Sequence, residues 1–183
     1  QATLLAASLT AASFASAQSV RVEKNMSLEL AGQIASATVA ACSAAGHNVT
    51  ATVVDRAGGV RAVMRADNAG PHTLEASRLK AYTSASAKNT TLAMMEGAQK
   101  NPAAANLVNI PGDLLLGGGV PVKVGNEVIG AVGVGGAPGG HLDEQCAMAA
   151  LDKGLRRAED RLGQFRRFTG RRSGNQKTEE TPA

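Results

Sequence analysis

The chain has 183 residues, enough for one domain with a buried core, and a formal net charge of +4. The excess positive charge lies in residues 153–177, with 9 basic and 2 acidic groups, whereas residues 1–152 carry 10 basic and 11 acidic groups. This distribution argues against a nucleic-acid-binding face on the folded body, so no nucleic acid is expected as a partner. We interpret residues 163–183 as a solvated, disordered basic tail, with contact to an anionic lipid or polymer as the alternative.

Residues 1–17 have the apolar run and small residues of a secretory signal peptide. Ala15 and Ala17 satisfy the Ala-x-Ala cleavage pattern, so we place cleavage just before Gln18. The charged region that normally precedes such a run is missing, so the sequence is expected to start within the signal. The run is too short to span a bilayer, which needs about 20 residues. The mature protein is therefore predicted to be periplasmic or secreted.

Hydrophobic periodicity and capping residues place helices and strands along the remaining chain. Ser27, Thr73 and Asp143 are suited to cap helices, and Gly46 is suited to end the first one. Consecutive strands joined by tight turns favour an antiparallel sheet and an α+β fold. In chain order we predict a helix at 27–45, strands at 48–55 and 60–66, helices at 73–88 and 89–100, a loop at 101–113, glycine-rich strands within 112–140, and a long final helix from residue 143.

The most distinctive segment is 112–140, which holds 11 of the 21 glycines among short apolar runs. Gly117–Gly119 is not a phosphate-binding loop, because no Gly-Lys-Ser/Thr follows it and the next residues have a strand pattern. Gly125-Asn126 predicts a hairpin turn, since both residues tolerate positive φ. Glycine within strands indicates either a helix packed closely on the sheet or a flat ligand lying there. The spacing favours the packed helix.

Two cysteines lie near the ends of predicted helices. Cys42 is close to the end of the first helix and Cys146 to the start of the last. They would meet if the two helices pack antiparallel, and an oxidising compartment permits a disulfide. Burial of both cysteines as small apolar residues is an equally good interpretation.

Four motifs occur in a specific order: TVVDRAGG at 52–59, KAYT at 80–83, GGGVP at 117–121 and IGAVGVGG at 129–136, the last followed by Asp143-Glu144. This order resembles the GlcG/HbpS-like family, also known as the haem-degrading or DUF336 domain and related to the C-terminal domain of PduO-type proteins. The resemblance covers roughly residues 27–155 and implies one domain over 18–162. It implies a profilin-like antiparallel sheet of about five strands flanked by helices, assembled into dimers or larger rings.

For the exported branch, the resemblance implies a haem-binding protein for haem uptake, buffering or redox sensing. Haem is favoured over a corrinoid as the cofactor. Two alternatives remain open. One is a small-molecule or haem-degrading enzyme that uses the same pocket, and the other is an interaction module whose partner is a membrane sensor.

A haem site needs apolar walls, cations for the propionates and often an axial ligand. His72 is the preferred axial candidate because it lies at a loop-to-helix junction beside the KAYT motif, whereas His47 and His141 lack such a neighbour. The predicted haem contacts are His72 for the iron, Arg65, Arg78 and Lys80 for the propionates, Tyr82 and Thr83 as alternative ligands, and Gly117, Gly118, Gly119 and Pro121 where a planar ligand would approach the backbone. A solvated helix face is an equally good interpretation of Arg78 and Lys80.

Catalytic signals are sparse. No Ser/His/Asp or Cys/His set has motif context, so no catalytic residue is assigned. His141-x-Asp143-Glu144 lacks the second histidine at helical spacing that a metal site would need. The Asp-x-x-Glu iron-binding motifs associated with the exported branch are absent, which weakens an iron-sensing role.

Overall fold

The computed structural model describes residues 21–153, which form one antiparallel sheet with helices on both of its faces. Four strands follow the order β2-β1-β4-β3, which confirms the α+β class with a four-stranded sheet in the described region. In chain order the elements are α1 (Leu28–Ala44), β1 (Thr50–Asp55), β2 (Val60–Arg65), α2 (Thr73–Ala87), α3 (Thr91–Lys100), a 3-10 helix (Pro102–Asn109), β3 (Gly119–Val124), β4 (Glu127–Gly135) and α4, described over 140–153. The predicted signal peptide, the basic tail and the rest of the final helix lie outside the described residues.

Helix α1 forms as its sequence predicts. The Ser27 hydroxyl accepts a hydrogen bond from the Leu30 N–H at 3.2 Å, and Gly46 follows the helix with a φ of 82°. One face is buried against the sheet, and its members are Ala31, Ile34, Ala35, Thr38 and Cys42.

The predicted capping roles of Thr73 and Asp143 are wrong, although the predicted start of the second helix at residue 73 is confirmed. Helix α2 begins at Thr73 itself, so His72 is the N-cap residue and makes no capping bond with its side chain. The Thr73 hydroxyl instead bonds the Thr50 hydroxyl of β1 at 2.6 Å. Helix α4 begins at residue 140, which places Asp143 within its first turn. Both side chains are used for tertiary hydrogen bonds, which local capping rules cannot anticipate.

The main hydrophobic core lies between the sheet and helices α1 and α4. Within it, Cys42 and Cys146 form a disulfide with their Cα atoms 5.2 Å apart, which decides between the two interpretations in favour of the bridge. The bridge connects residues 104 positions apart, and a loop of that length corresponds to about 4.7 kcal/mol of lost unfolded-state entropy. The other buried members include Met26, Val49, Val53, Val120, Val122, Ile129, Val132, Val134, Ala147 and Leu151.

Helix α2 covers the opposite face of the sheet at very short range. A Cβ added to Gly133 would lie 2.0 Å from the Ser77 carbonyl oxygen, and one added to Gly119 would lie 2.3 Å from that of Lys80. Thr52 and Ser77 bond through their hydroxyls at 2.7 Å where helix and strand meet. The strand glycines therefore admit the helix backbone, which confirms the close-packing interpretation.

No helix within residues 21–153 combines the length and apolar content needed to cross a bilayer.

Candidate functional site

Most of the predicted site residues lie on or beside α2, but they fall on two different sides of it. Because Thr73 and Ser77 contact β1, the helix has one side toward β4 and β3 and another toward β2. We call these the closed flank and the open flank. Lys80 and Thr83 belong to the closed flank, and Arg78 and Tyr82 belong to the open flank.

Lys80 on the closed flank is an interior residue. Its ammonium donates to the Asp143 carboxylate at 2.8 Å and to the Val134 carbonyl at 2.9 Å. The side chains of Lys80 and Asp143 are only 2% and 3% exposed. Neither the solvated-face interpretation nor the expected propionate contact fits this position. The ion pair joins α2, β4 and α4 across the interior.

The acidic pair Asp143-Glu144 lies in an environment that disfavours negative charge. Burial raises the pKa of Asp143, opposed by the Lys80 ammonium and by the Ala137 N–H, which donates to its second oxygen at 3.0 Å. Burial also raises the pKa of Glu144. Hydrogen bonds with the Thr90 side chain and with the backbone of Leu92 and Gly118 lower this pKa by a smaller amount. Glu144 Oε2 is buried without a hydrogen-bond partner. Both carboxyl groups are therefore buried where α4 packs, and desolvation there disfavours their ionised forms.

The glycine segment does not open onto a ligand surface, which corrects the expected backbone approach. A Cβ on Gly117 would lie 2.9 Å from the backbone of Gly140, and one on Gly118 would lie 2.7 Å from Asp143 Cβ. A Cβ on Gly119 would likewise meet the backbone of α2 at Lys80. Pro121 is partly buried in β3 opposite Ala131. The protein's own chain fills the space that a planar ligand would need.

Thr83 is also used internally. Its hydroxyl donates to the Leu79 carbonyl at 2.8 Å and accepts from the Leu114 N–H at 2.8 Å. The side chain is fully buried. The expected role of Thr83 as an alternative iron ligand therefore does not fit this structure, because its oxygen fastens the loop before β3 to α2.

The open flank of α2 presents charged and aromatic side chains near solvent. Arg78 pairs with Glu75 at 2.6 Å, and the two side chains are 42% and 62% exposed. The Tyr82 ring lies beside Gly58 of the β1–β2 turn, where an added Cβ would be 2.6 Å from ring atom Cδ2. The other edge of the ring faces Gly112, with 3.7 Å between Cε1 and an added Cβ. Tyr82 thus marks one end of an accessible surface.

Strand β2 continues this surface. Arg65 lies opposite Thr50 in the sheet, so its side chain projects to the same face as α2, and the same alternation applies to Val63. Val63 is 45% exposed and Leu74 of α2 is 44% exposed. The Arg65 guanidinium donates to the Ala69 carbonyl, with 3.1 Å from Nε.

His72 lies at the N-terminal end of α2. The side chain is exposed, and its ring sits against Gly70, where an added Cβ would be 2.7 Å from Cε1. The structure thus places Arg65, Arg78 and Tyr82 on the β2 side of α2 and His72 at the N-terminus of the helix. Together with two apolar residues that sequence reasoning missed, they define what we call the open shelf: Val63, Arg65, His72, Leu74, Arg78 and Tyr82. Strand alternation from Arg65 and helical spacing from Arg78 could have located Val63 and Leu74.

A second surface feature is a groove beside the disulfide, lined by Ala41, Ala45, His47, Leu142, Gln145, Cys146 and Ala149. Its volume of about 190 Å³ is below the 300 Å³ at which typical small-molecule sites begin. Within residues 21–153, no three His, Cys, Asp or Glu side chains are grouped so as to hold a metal ion.

Comparison with known proteins identifies relatives. Residues 26–152 match the family model described as haem degrading protein, HbpS-like. A double mutant of HbpS from Streptomyces reticuli is 35% identical, with a TM-score of 0.69, covering 80% of this chain and 97% of its own. The ORFY protein of Klebsiella pneumoniae, of the DUF336 family, is 28% identical, with a TM-score of 0.71 over 76% of this chain and 97% of its own.

A complex of PduOC with haem shares the fold at 22% identity, with a TM-score of 0.65 over 70% of this chain and 94% of its own. No curated protein matches the chain.

Proposed function

This chain belongs to the HbpS-like family of haem-degrading proteins, and we propose that it is an exported haem-binding protein. It would hold haem outside the cytoplasm for uptake, buffering or redox sensing. The family match and the haem complex of PduOC support the ligand class. The observation that carries the proposal is the open shelf, where two guanidiniums, a phenol and two apolar side chains lie on the β2 side of α2 and an exposed imidazole stands at the N-terminus of the helix.

The residues of the open shelf fit a haem chemically. His72 is exposed and has an imidazole nitrogen available as an axial ligand. Val63 and Leu74 supply apolar contact for the macrocycle, and Arg65 and Arg78 supply cations for the propionates. Arg78 would exchange its exposed partner Glu75 for a propionate at little cost, because exposed ion pairs contribute less than about 1 kcal/mol. When bound, haem would supply a redox-active iron.

Export is supported by two independent features. Residues 1–17 have the composition of a secretory signal, and Cys42 and Cys146 form a disulfide in the folded body. Disulfides persist in oxidising compartments such as the periplasm or the cell exterior. We therefore propose a periplasmic or secreted mature protein that begins at Gln18.

Self-association is the proposed quaternary state, as a dimer or a larger ring. The 3-10 helix has no buried residue, although Leu107, Val108 and the following Ile110 are 36%, 58% and 46% exposed. Apolar side chains grouped at a surface are typical of an interface with another protein. A membrane sensor is the second partner proposed, with no residue assigned to it.

The test is a haem titration of the mature chain, monitored by the Soret band. We expect saturation at one haem per chain, and His72→Ala should weaken binding at least tenfold or shift the Soret maximum. His141→Ala is the matched control, because His141 is also exposed but lies on α4, away from the open shelf. Equal effects of the two substitutions, or no Soret change beyond that of an unrelated protein, would remove the assignment.

Haem degradation is the second candidate function, favoured by the description of the matched family. Loaded protein would be incubated with hydrogen peroxide and the loss of the Soret band followed over time. Enzymatic degradation predicts a faster loss in the protein than for haem bound to serum albumin, together with one defined tetrapyrrole product. Equal rates of Soret loss and a mixture of products would indicate that the protein binds haem without degrading it enzymatically.

A further inference from the structure

The two edges of the sheet are treated differently by this fold. At the β3 edge, the Gly119 N–H donates to the Thr91 hydroxyl at 2.8 Å, and the next residue of the same alternation, Pro121, has no N–H. Thr91 also donates to the Leu116 carbonyl at 2.7 Å, which fixes its hydroxyl at this position. The β3 edge therefore offers few free backbone N–H groups to an added strand.

The β2 edge remains open. The Ala66 N–H donates to the Val49 carbonyl at 2.9 Å, so the alternating residues Met64 and Ala62 also direct their backbone groups toward β1. Val63 and Arg65 consequently direct their N–H and C=O groups outward. No described strand pairs with this edge, which is the end of the sheet order.

The β2 edge also carries exposed apolar side chains. Val60, Val63 and Met64 are 50%, 45% and 42% exposed, which is unusual for three of the six residues in one short strand. Exposed edge strands are hazards that proteins normally block with charge, proline or bulges. The irregularity in the β1–β2 register lies at the first residues of β2, which leaves Ala62 to Arg65 regular.

Charge decides which partner fits this edge. Arg61 and Arg65 flank Val63, and no acidic residue lies within β2. If a second copy paired antiparallel about Val63, the Arg61 side chain, at the register irregularity, would lie near Arg65 of that copy, and facing like charges destabilise a strand pair. The same two arginines would attract a strand that carries carboxylates. The edge therefore disfavours its own copy and favours an acidic segment.

We propose that the β2 edge binds an extended acidic segment of another protein, which adds to the sheet as a fifth strand. Backbone hydrogen bonds to Val63 and Arg65 provide the affinity, as in other cases of β-strand addition. Carboxylates two residues on either side of a central apolar residue pair with Arg61 and Arg65 and provide the selectivity.

The probe is a capped, fluorescein-labelled heptapeptide of threonine, with glutamate at its second and sixth positions and valine at its fourth. Its binding to the protein is followed by fluorescence anisotropy in the absence of haem, so failure of haem binding does not affect the result. The same peptide with lysine in place of glutamate is the charge control. We expect saturable binding of the acidic peptide, at least tenfold tighter than that of the lysine peptide.

Val63→Pro tests the edge itself, because proline removes an outward N–H and is tolerated on edge strands. Val63→Thr keeps the N–H and is the matched control. We expect at least tenfold weaker peptide binding for the proline variant and less than threefold for the threonine variant. Circular dichroism melting shows whether each variant folds. If Val63→Pro fails to fold, a probe peptide N-methylated at its central valine replaces the variant in the same comparison.

The double variant Arg61→Glu with Arg65→Glu tests the charge argument. We expect its preference to invert, so that the lysine peptide binds more tightly than the acidic one. Equal binding of both peptides by the unmodified protein, or unchanged binding by Val63→Pro, would overturn the proposal. Light scattering that shows an oligomer lost in Val63→Pro would also overturn it and assign the edge to a second copy.

Discussion

The two flanks of α2 show how one short helix serves two purposes. On the closed flank, Lys80 and Thr83 are buried and bonded to α4, to β4 and to the loop before β3. On the open flank, Arg78 is exposed and Tyr82 lies half-buried at the end of an accessible surface. The KAYT motif therefore contributes Lys80 and Thr83 to the interior and Tyr82 to the accessible side of the helix. A charged residue in a family motif can be a structural element as readily as a binding one.

The difference follows from what lies beside each flank. Glycines on β3 and β4 let α2 approach so closely that the side chains between them have no solvent path. Strand β2 is left uncovered on this face, so the residues between it and the helix stay accessible. Substitutions on the two flanks should consequently have very different effects.

The largest effect is expected for Gly133→Ala. The new Cβ would lie 2.0 Å from the Ser77 carbonyl and 2.4 Å from the Ala81 nitrogen, and backbone atoms cannot rotate away. We expect a loss of about 3 kcal/mol or more in the free energy of unfolding, or failure to fold. Urea denaturation measures the change.

Gly32→Ala in α1 is the matched control, since no heavy atom outside the adjoining backbone of its own helix lies within 4 Å of its added Cβ. It should raise stability by roughly 0.5–1 kcal/mol, because alanine favours helix over glycine. If Gly133→Ala behaves like this control, α2 does not lie against the sheet as closely as described.

The next prediction compares the stability effects of substituting Lys80 and Arg78, two cationic residues two positions apart. Lys80→Met leaves Asp143 buried without its partner, which should cost about 3–5 kcal/mol. Arg78→Met removes only an exposed pair with Glu75 and should change stability by less than about 1 kcal/mol. Urea denaturation at neutral pH measures both changes. Adding Asp143→Leu to Lys80→Met should recover part of the loss, since the unpaired charge is then gone. Similar losses in the two single variants would show that the flanks are not distinct.

The smallest effect concerns pH. Burial holds the pKa of Glu144 above its ordinary value of 4.5, so the folded state binds this proton more tightly than the unfolded state. Its contribution to stability is full below about pH 4.5 and is lost as pH rises through the folded pKa. Glu144→Gln, which keeps a neutral side chain, should remove this part of the pH dependence.

Glu75→Gln on the open flank is the opposite case. A hydrogen bond from Arg78 lowers the pKa of Glu75, so its contribution is present above about pH 4.5 and is lost as pH falls. Urea denaturation from pH 3 to pH 8 should show the two variants diverging from the unmodified protein in opposite directions with pH. Divergence in the same direction would contradict the assigned environments.

The candidate site was only partly predictable. Motif order identified the family, and Arg65, Arg78 and Tyr82 do lie on one accessible side of α2, with His72 exposed at the N-terminus of the helix. Lys80, Thr83 and Gly117–Gly119 were assigned to the same ligand because they share the motifs. Thr83 is bonded to Leu114, 31 positions away, and Lys80 to Asp143, 63 positions away. No local sequence pattern indicates contacts between residues so far apart in the chain.

Local physics within the sequence determined the α+β class, the buried face of α1, the β3–β4 turn at Gly125 and the tight packing at the strand glycines. These features depend on periodicity, capping and backbone freedom, which neighbouring residues specify. Only the tertiary structure decided the Cys42–Cys146 bridge, the interior ion pair of Lys80 and the open edge of β2. Each of these depends on which distant elements meet, and that is settled when the whole sheet and its helices pack together.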